Sequence, residues 1–264
     1  MSLPARKRWG QHFLASSATA ERIVEAARVG PADTVVEVGP GDGALTRPLA
    51  RRARAVVAIE IDPWRAESLR EEFAGDPKVR IEQGDALAKS FRQWLDGAGE
   101  RGRAVFVSNL PYNAGTPILT AALEEPGAIT RAVATVQREV ARRFCARPGS
   151  EDYGYLSVRT AAFAGARILF DLPPAAFRPR PKVTSSVLEL TPRSPALDPA
   201  LRDRALALAS LGFRSRRKTL ANALAAQGPR ETWERALEAM GKTRMARAEE
   251  LSLEDFLTLA GGQP

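Results

Sequence analysis

Thr34-Val35-Val36-Glu37-Val38-Gly39-Pro40-Gly41-Asp42-Gly43-Ala44 reads as a short β-branched strand running straight into a loop with glycine at every second position. Such glycines let the backbone turn tightly and approach a ligand closely, and a helical pattern over residues 44–54 follows at once. Working outward, strand-like runs at 55–59, 79–83 and 104–107 alternate with helical stretches at 63–74 and 89–95. That order predicts a doubly wound, Rossmann-like α/β sheet. Residues 116–123, 132–136 and 138–146 continue it as helix, strand and helix. Two late strands follow at 165–170 and 183–190, the second alternating as an antiparallel strand does. Pro192, Pro195 and Pro199 then space out a linker. Behind it only helical patterns remain, at 200–211, 215–226, 230–239 and 253–260. Two domains are expected, an α/β domain over 1–190 and a small all-helical domain over 191–264.

Glu60 closes the second strand, 21 residues after Gly39, where a carboxylate can bind both hydroxyls of a ribose. Gly39-x-Gly41-x-x-Ala44 also fits the dinucleotide fingerprint, so a nicotinamide enzyme is the rival at this point. Gly84-Asp85-Ala86, at the end of the third strand, tips the balance, because a carboxylate there can accept from an adenine amino group. Ribose clamp and adenine reader on successive strands map one adenosine across the strand ends, and no second nucleotide half is visible. The cofactor expected is S-adenosyl-L-methionine. One His and one Cys leave no nitrogen or sulfur cluster for a structural zinc, and no metal is expected.

The fourth strand runs into Asn109-Leu110-Pro111-Tyr112. An Asn side chain and the Leu110 carbonyl, stiffened by Pro111, can both accept hydrogen bonds from one amino group, and Tyr112 offers a flat surface for a base. The exocyclic amine of adenine or cytosine is a poor nucleophile because its lone pair is delocalised into the ring. Two acceptors aimed at its hydrogens favour a pyramidal nitrogen and stabilise the positive charge that develops during attack. The four residues therefore suit methyl transfer to such an amine. His12, the only histidine, is not needed as a general base, since a methylated ammonium-like nitrogen loses its proton readily.

The 264 residues carry a net charge of +8, which favours a polyanionic partner. Placement sharpens that reading. Arg6-Lys7-Arg8, the run Arg178, Arg180 and Lys182, and the cluster Arg214, Arg216, Arg217 and Lys218 are local concentrations. Trp9, Phe13, Phe177 and Phe213 stand beside them, as phosphate attraction with base stacking would require. Trp64, Trp94 and Trp233 read as helix-packing residues. No apolar run is long enough to span a bilayer, and the basic N-terminus has no apolar segment behind it. The single Cys145 excludes an internal disulfide and fits a reducing cytoplasm. With no coiled-coil pattern or large apolar stripe, a monomer is expected.

Taken together these residues resemble the KsgA family of small-subunit ribosomal RNA adenine dimethyltransferases, nearly end to end. Arg8-Trp9-Gly10-Gln11-His12-Phe13-Leu14 is similar to the family's N-terminal motif, residues 37–46 to its glycine loop, and Asn109-Leu110-Pro111-Tyr112-Asn113 to its methyl-acceptor motif. Gln137-Arg138-Glu139-Val140-Ala141 with 153–158, and Phe177-Arg178-Pro179-Arg180-Pro181-Lys182-Val183, are similar to later blocks. So are residues 213–220 and Arg247-Ala248-Glu249-Glu250-Leu251. The resemblance implies cofactor contacts from Gln11, His12, Leu14, Gly39, Gly41, Glu60, Asp85, Ala86 and Asn109. It also implies a target adenine held between Tyr112 and Phe177, and an rRNA partner in the small subunit or its precursor. His12 stands where many members carry Asn, and positions 114–115 and 184–185 vary common residues near the acceptor site.

Other readings remain open at this stage. A related class methylates a large-subunit rRNA adenine and confers macrolide resistance. A DNA amino-methyltransferase should carry a target-recognition domain, which is not visible here. The chain could also serve mainly as an RNA-binding assembly factor with secondary catalysis.

Overall fold

The computed structural model describes residues 12–125, 127–215 and 217–262. Gln11, Arg216 and the basic stretch at 6–9 lie outside the described residues. In chain order the first elements are β1 (Phe13–Leu14), α1 (Ser17–Ala27), β2 (Thr34–Val38), α2 (Thr46–Arg52), β3 (Ala55–Glu60) and α3 (Pro63–Glu72). Next come β4 (Val79–Gln83), α4 (Phe91–Gly97), β5 (Ala104–Asn109), α5 (Gly115–Glu124), β6 (Ile129–Gln137), α6 (Arg138–Cys145), α7 (Tyr155–Phe163) and β7 (Ala164–Leu172). The last are β8 (Phe177–Arg178), β9 (Ser185–Pro192), α8 (Pro199–Arg214), α9 (Leu220–Ala223), α10 (Arg230–Ala239) and α11 (Leu253–Gly261).

Seven strands form one sheet in the order β4-β3-β2-β5-β6-β9-β7. Neighbours from β4 to β6 run parallel, and β9 lies antiparallel to β6. Every residue of β2 and β3 is buried, as expected of central parallel strands covered on both faces. The doubly wound reading therefore holds. Chain order reverses between β2 and β5, which places a crevice at the carboxyl ends of those two strands. The registers Val38↔Ile59 and Glu60↔Gln83 bring the loops after β2, β3 and β4 out along one edge of the sheet.

The chain divides into two compact units. One comprises the residues up to Ala141 together with Ala166–Pro192, and contains the sheet. The other comprises Arg142–Gly165 and the residues from Arg193 onward. Sequence pattern alone assigns 142–165 to the α/β domain, but Tyr153, Val158 and Ala162 pack into the helical unit's core with Ala205, Leu220, Trp233 and Phe256. The Tyr153 hydroxyl also donates to the Leu251 carbonyl at 2.7 Å.

Three local expectations change. The helix expected from residue 215 begins only at Leu220, where Thr219 caps it by accepting from the Asn222 N–H at 3.4 Å. Trp64, expected to pack, is 66% exposed at the start of α3, whereas Trp94 and Trp233 are buried. Phe177, expected on an exposed loop, is completely buried among Ile23, Leu172 and Val187. Its two-residue strand pairs with β1 (Leu14↔Phe177, Phe13↔Arg178), so alternation turns Phe177 inward and leaves Arg178 exposed. Among the described residues no helix is long and apolar enough to cross a membrane.

Candidate active site

Gly39, Gly41, Glu60, Asn109, Leu110, Pro111 and His12 line one crevice with Phe13 and Ile61. These are residues from β1, from the ends of β2, β3 and β5, and from the loops that follow. Gly41 shows why glycine is required. It sits at φ 59°, and a Cβ there would lie 2.7 Å from the Phe13 ring. Its N–H donates to Glu60 Oε2 at 3.0 Å, and the Asp62 N–H donates to Glu60 Oε1 at 2.9 Å. Each carboxylate oxygen thus spends one lone pair on the backbone and retains another for a hydroxyl. Glu60 is almost fully buried, and burial raises its pKa against the pull of those two N–H groups.

Asn109 ends β5, with its backbone opposite Thr135. Its Nδ2 donates to the His12 carbonyl at 2.8 Å, which fixes the amide and leaves Oδ1 as its acceptor end. The Leu110 N–H is taken by the Thr135 carbonyl at 3.2 Å, and Pro111 brings no N–H of its own. Tyr112 is half-buried. Its hydroxyl hydrogen-bonds Ser185 Oγ at 2.5 Å, and its ring tilts against the His12 imidazole with centroids 4.9 Å apart. Burial raises the Tyr112 pKa, so the phenol stays neutral at physiological pH. His12 Nδ1 bonds the Pro179 carbonyl at 2.7 Å, which makes that nitrogen the donor.

Other expected residues lie apart from the crevice lining. Leu14 packs toward the α/β core. Asp85 is exposed and accepts the Leu87 N–H at 2.9 Å, although the preceding Gly84 N–H bonds the Glu60 carbonyl at 2.9 Å and keeps this loop beside β3. Ala86 is buried, its carbonyl taken by the Trp94 indole N–H at 3.2 Å. Arg178, Arg180 and Lys182 are exposed, as are Arg214, Arg217 and Lys218 of the helical unit. The aromatics of the basic-aromatic pattern fall in different surroundings. Phe13 lines the crevice, Phe177 is core, and Phe213 packs against Tyr153 and Phe256. Trp9 lies outside the described residues.

Sequence reasoning missed four residues here. Ser108 is fully buried and bridges two strands, accepting from the Val38 N–H at 2.7 Å and donating to the Val38 carbonyl at 2.9 Å. Ile61, 44% exposed, joins the crevice wall. Arg65 is buried beneath the glycine loop. Glu37 is buried under the same loop and accepts from Thr46 Oγ1 at 2.7 Å. Only Glu37 carried a signal, as a carboxylate in an otherwise apolar strand.

Desolvation pushes the Glu37 carboxyl from an ordinary 4.5 up to about 8. Its folded pKa thus lies above its unfolded one, so between those values the native state holds a proton that the unfolded chain has lost. Stability contributed at this position is full below about pH 4.5 and is lost as pH rises toward 8. Urea unfolding across that window should show a declining component that Glu37→Gln removes. Parallel curves for the two proteins would mean that Glu37 is ionised in the native state.

The crevice lining holds one carboxylate and, among the described residues, neither Lys nor Arg. That carboxylate is complementary to a ribose diol, and a cationic group on the same ligand would meet no like charge in the lining. Fold and crevice together define a Rossmann-like methyltransferase. The chain belongs to the ribosomal RNA adenine dimethylase family, whose description matches residues 3–261. A "Ribosomal RNA small subunit methyltransferase A" from Xanthomonas campestris pv. campestris (strain 8004) is 42% identical over 262 residues, covering 98% of this chain and 96% of the relative. One from Moorella thermoacetica is 40% identical over 265 residues, covering 98% of this chain and 92% of the relative. Among solved structures, the 23S rRNA methyltransferase ErmE matches with TM-score 0.73 and 33% identity, covering 94% of this chain and 98% of that one. A dimethyladenosine transferase from Plasmodium falciparum matches with TM-score 0.79 and 23% identity over 94% of this chain and 96% of that one, and shares the fold.

Proposed function

We propose that this chain transfers methyl groups from S-adenosyl-L-methionine to N6 of adenosines in small-subunit ribosomal RNA during ribosome biogenesis, two to each target base. The observation that carries the reading is the Asn109 amide. Its donation to the His12 carbonyl at 2.8 Å turns Oδ1 toward the role of acceptor, at the edge of a crevice that also presents Glu60. Glu60 would hold the donor's ribose hydroxyls with the lone pairs its backbone partners leave, Gly39 and Gly41 would admit the donor at close range, and Asp85 would meet the adenine edge. When bound, the donor would supply an electrophilic methyl on a sulfonium sulfur, the S–CH3 bond breaking as N–C forms and S-adenosylhomocysteine leaving as the neutral thioether. Asn109 Oδ1 and the Leu110 carbonyl accept from the target N6 group, draw its lone pair out of conjugation, and stabilise the positive charge that grows there. The surplus proton passes to water. A base stacked on Tyr112 uses the face away from His12.

Arg178, Arg180, Lys182, Arg214, Arg217 and Lys218 are exposed and would supply phosphate contacts. Reversing charge with Arg217→Glu and Lys218→Glu should weaken RNA binding and reduce the slope of log affinity against log salt by about 1 for each phosphate no longer neutralised. Donor affinity should not move. An unchanged slope would make these residues an ordinary solvated surface.

The 33% identity to a 23S rRNA methyltransferase supports a second reading, a large-subunit target. One experiment separates the two. The protein is incubated with radiolabelled methyl donor and with undermethylated small and large subunits in parallel, and the label is mapped by mass spectrometry. Label as dimethyladenosine in small-subunit rRNA is the expected result, and label confined to 23S rRNA would overturn it. A cytoplasmic, monomeric enzyme goes with this reading.

A further inference from the structure

Arg65 is 1% exposed on α3, on the inward face it shares with Ala66 and Leu69. A guanidinium is costly to bury unless charge partners and a stacking surface receive it. Arg65 has both. It is ion-paired to Asp42 in the glycine loop, its Nε lies 3.9 Å from Asp62 Oδ2, and its guanidinium carbon sits 4.2 Å over the Phe13 ring. Gly41 also packs against that ring, so closely that a Cβ would collide with it. Gly41 and Asp62 are the two residues whose N–H groups hold the Glu60 carboxylate. One buried cation therefore touches the N-terminal strand, the glycine loop and the turn after β3, three segments that shape a single crevice.

We propose that Arg65 is a positioning residue for the donor pocket, clamping Phe13 of β1 to Asp42 of the glycine loop and so setting the Gly41–Glu60 geometry. This rests on the donor site proposed above. Arg65 does not line the crevice, so it acts through the residues that do. Its charge also offsets the crowding of Asp42, Asp62 and Glu60, which otherwise repel one another across the loop.

The test is calorimetric binding of S-adenosyl-L-methionine and S-adenosylhomocysteine to wild type, Arg65→Met and Arg65→Lys, with steady-state kinetics alongside. Arg65→Met keeps the stem's bulk but removes charge, fork and stacking plane. It should weaken donor binding and raise KM for the donor on the order of tenfold, the scale of one oriented ion pair. The kcat and the RNA affinity should stay within about twofold. Arg65→Lys should recover part of the affinity, since it restores charge without the planar face. Wild-type donor affinity in a folded Arg65→Met, with only the unfolding temperature lowered, would overturn the inference and leave Arg65 a structural residue. Should Arg65→Met fail to fold, Asp42→Asn and Phe13→Leu each break one arm of the clamp. The Asp42 side chain is 37% exposed. Each should weaken donor binding several-fold, and unchanged affinity in both would sink the idea. If wild type itself fails to bind the donor, the donor site falls, and that outcome is distinct from a failure of Arg65 alone.

Discussion

Asn109→Ala should lower the methylation rate on the order of 10²–10³, a loss larger than any accompanying change in donor or RNA affinity. The size follows from where the residue acts. An amine conjugated with a purine ring develops charge only as it attacks, so an acceptor aimed at its hydrogens is worth more in the transition state than in the ground state. Asn109 also tethers the His12 carbonyl through Nδ2, and alanine removes that tether too. Asn109→Asp separates the two roles, because it retains oxygen acceptors but can no longer donate to His12. Single-turnover rates for both variants, beside donor titrations, distinguish lost acceptance from a displaced N-terminal strand. Full turnover in Asn109→Ala, with both affinities unchanged, would remove Asn109 from the chemistry.

Phe177→Ala should cost about 3–5 kcal/mol of stability. The ring is wholly buried with α1, the end of β7 and β9 around it, and truncation leaves a cavity that the surrounding strands cannot collapse to fill. Denaturant unfolding measures this directly, as a fall in midpoint at unchanged slope. The competing view comes from the family resemblance, in which the ring sandwiches the target base. A variant of normal stability that loses RNA turnover would restore that view. A destabilised variant whose folded fraction turns over normally would confirm the core role.

These two residues also show how much of the molecule is legible in its sequence. The sheet is readable because β-branched runs and glycine turns are local signals, and Asn109 and Glu60 stand out because they sit at strand ends. Phe177 misleads because its neighbours Arg178, Pro179 and Arg180 signal exposure, while the two-residue pairing with β1 that turns it inward is a long-range fact. Arg65 could not be found from sequence. An arginine on a helix is ordinarily solvated, and its partner Asp42 lies 23 residues away. The delayed start of α9 has a subtler cause. Ser215 and Thr219 are both good cap residues, and only the structure selects Thr219.

The Ser108 hydroxyl has a consequence for a reaction repeated on one nucleotide. It bonds both the N–H and the carbonyl of Val38, so the floor beneath the two reactants is riveted and cannot yawn without breaking two dry bonds together. Exchange of spent for fresh reagent between a first and a second alkylation therefore leaves that floor in place.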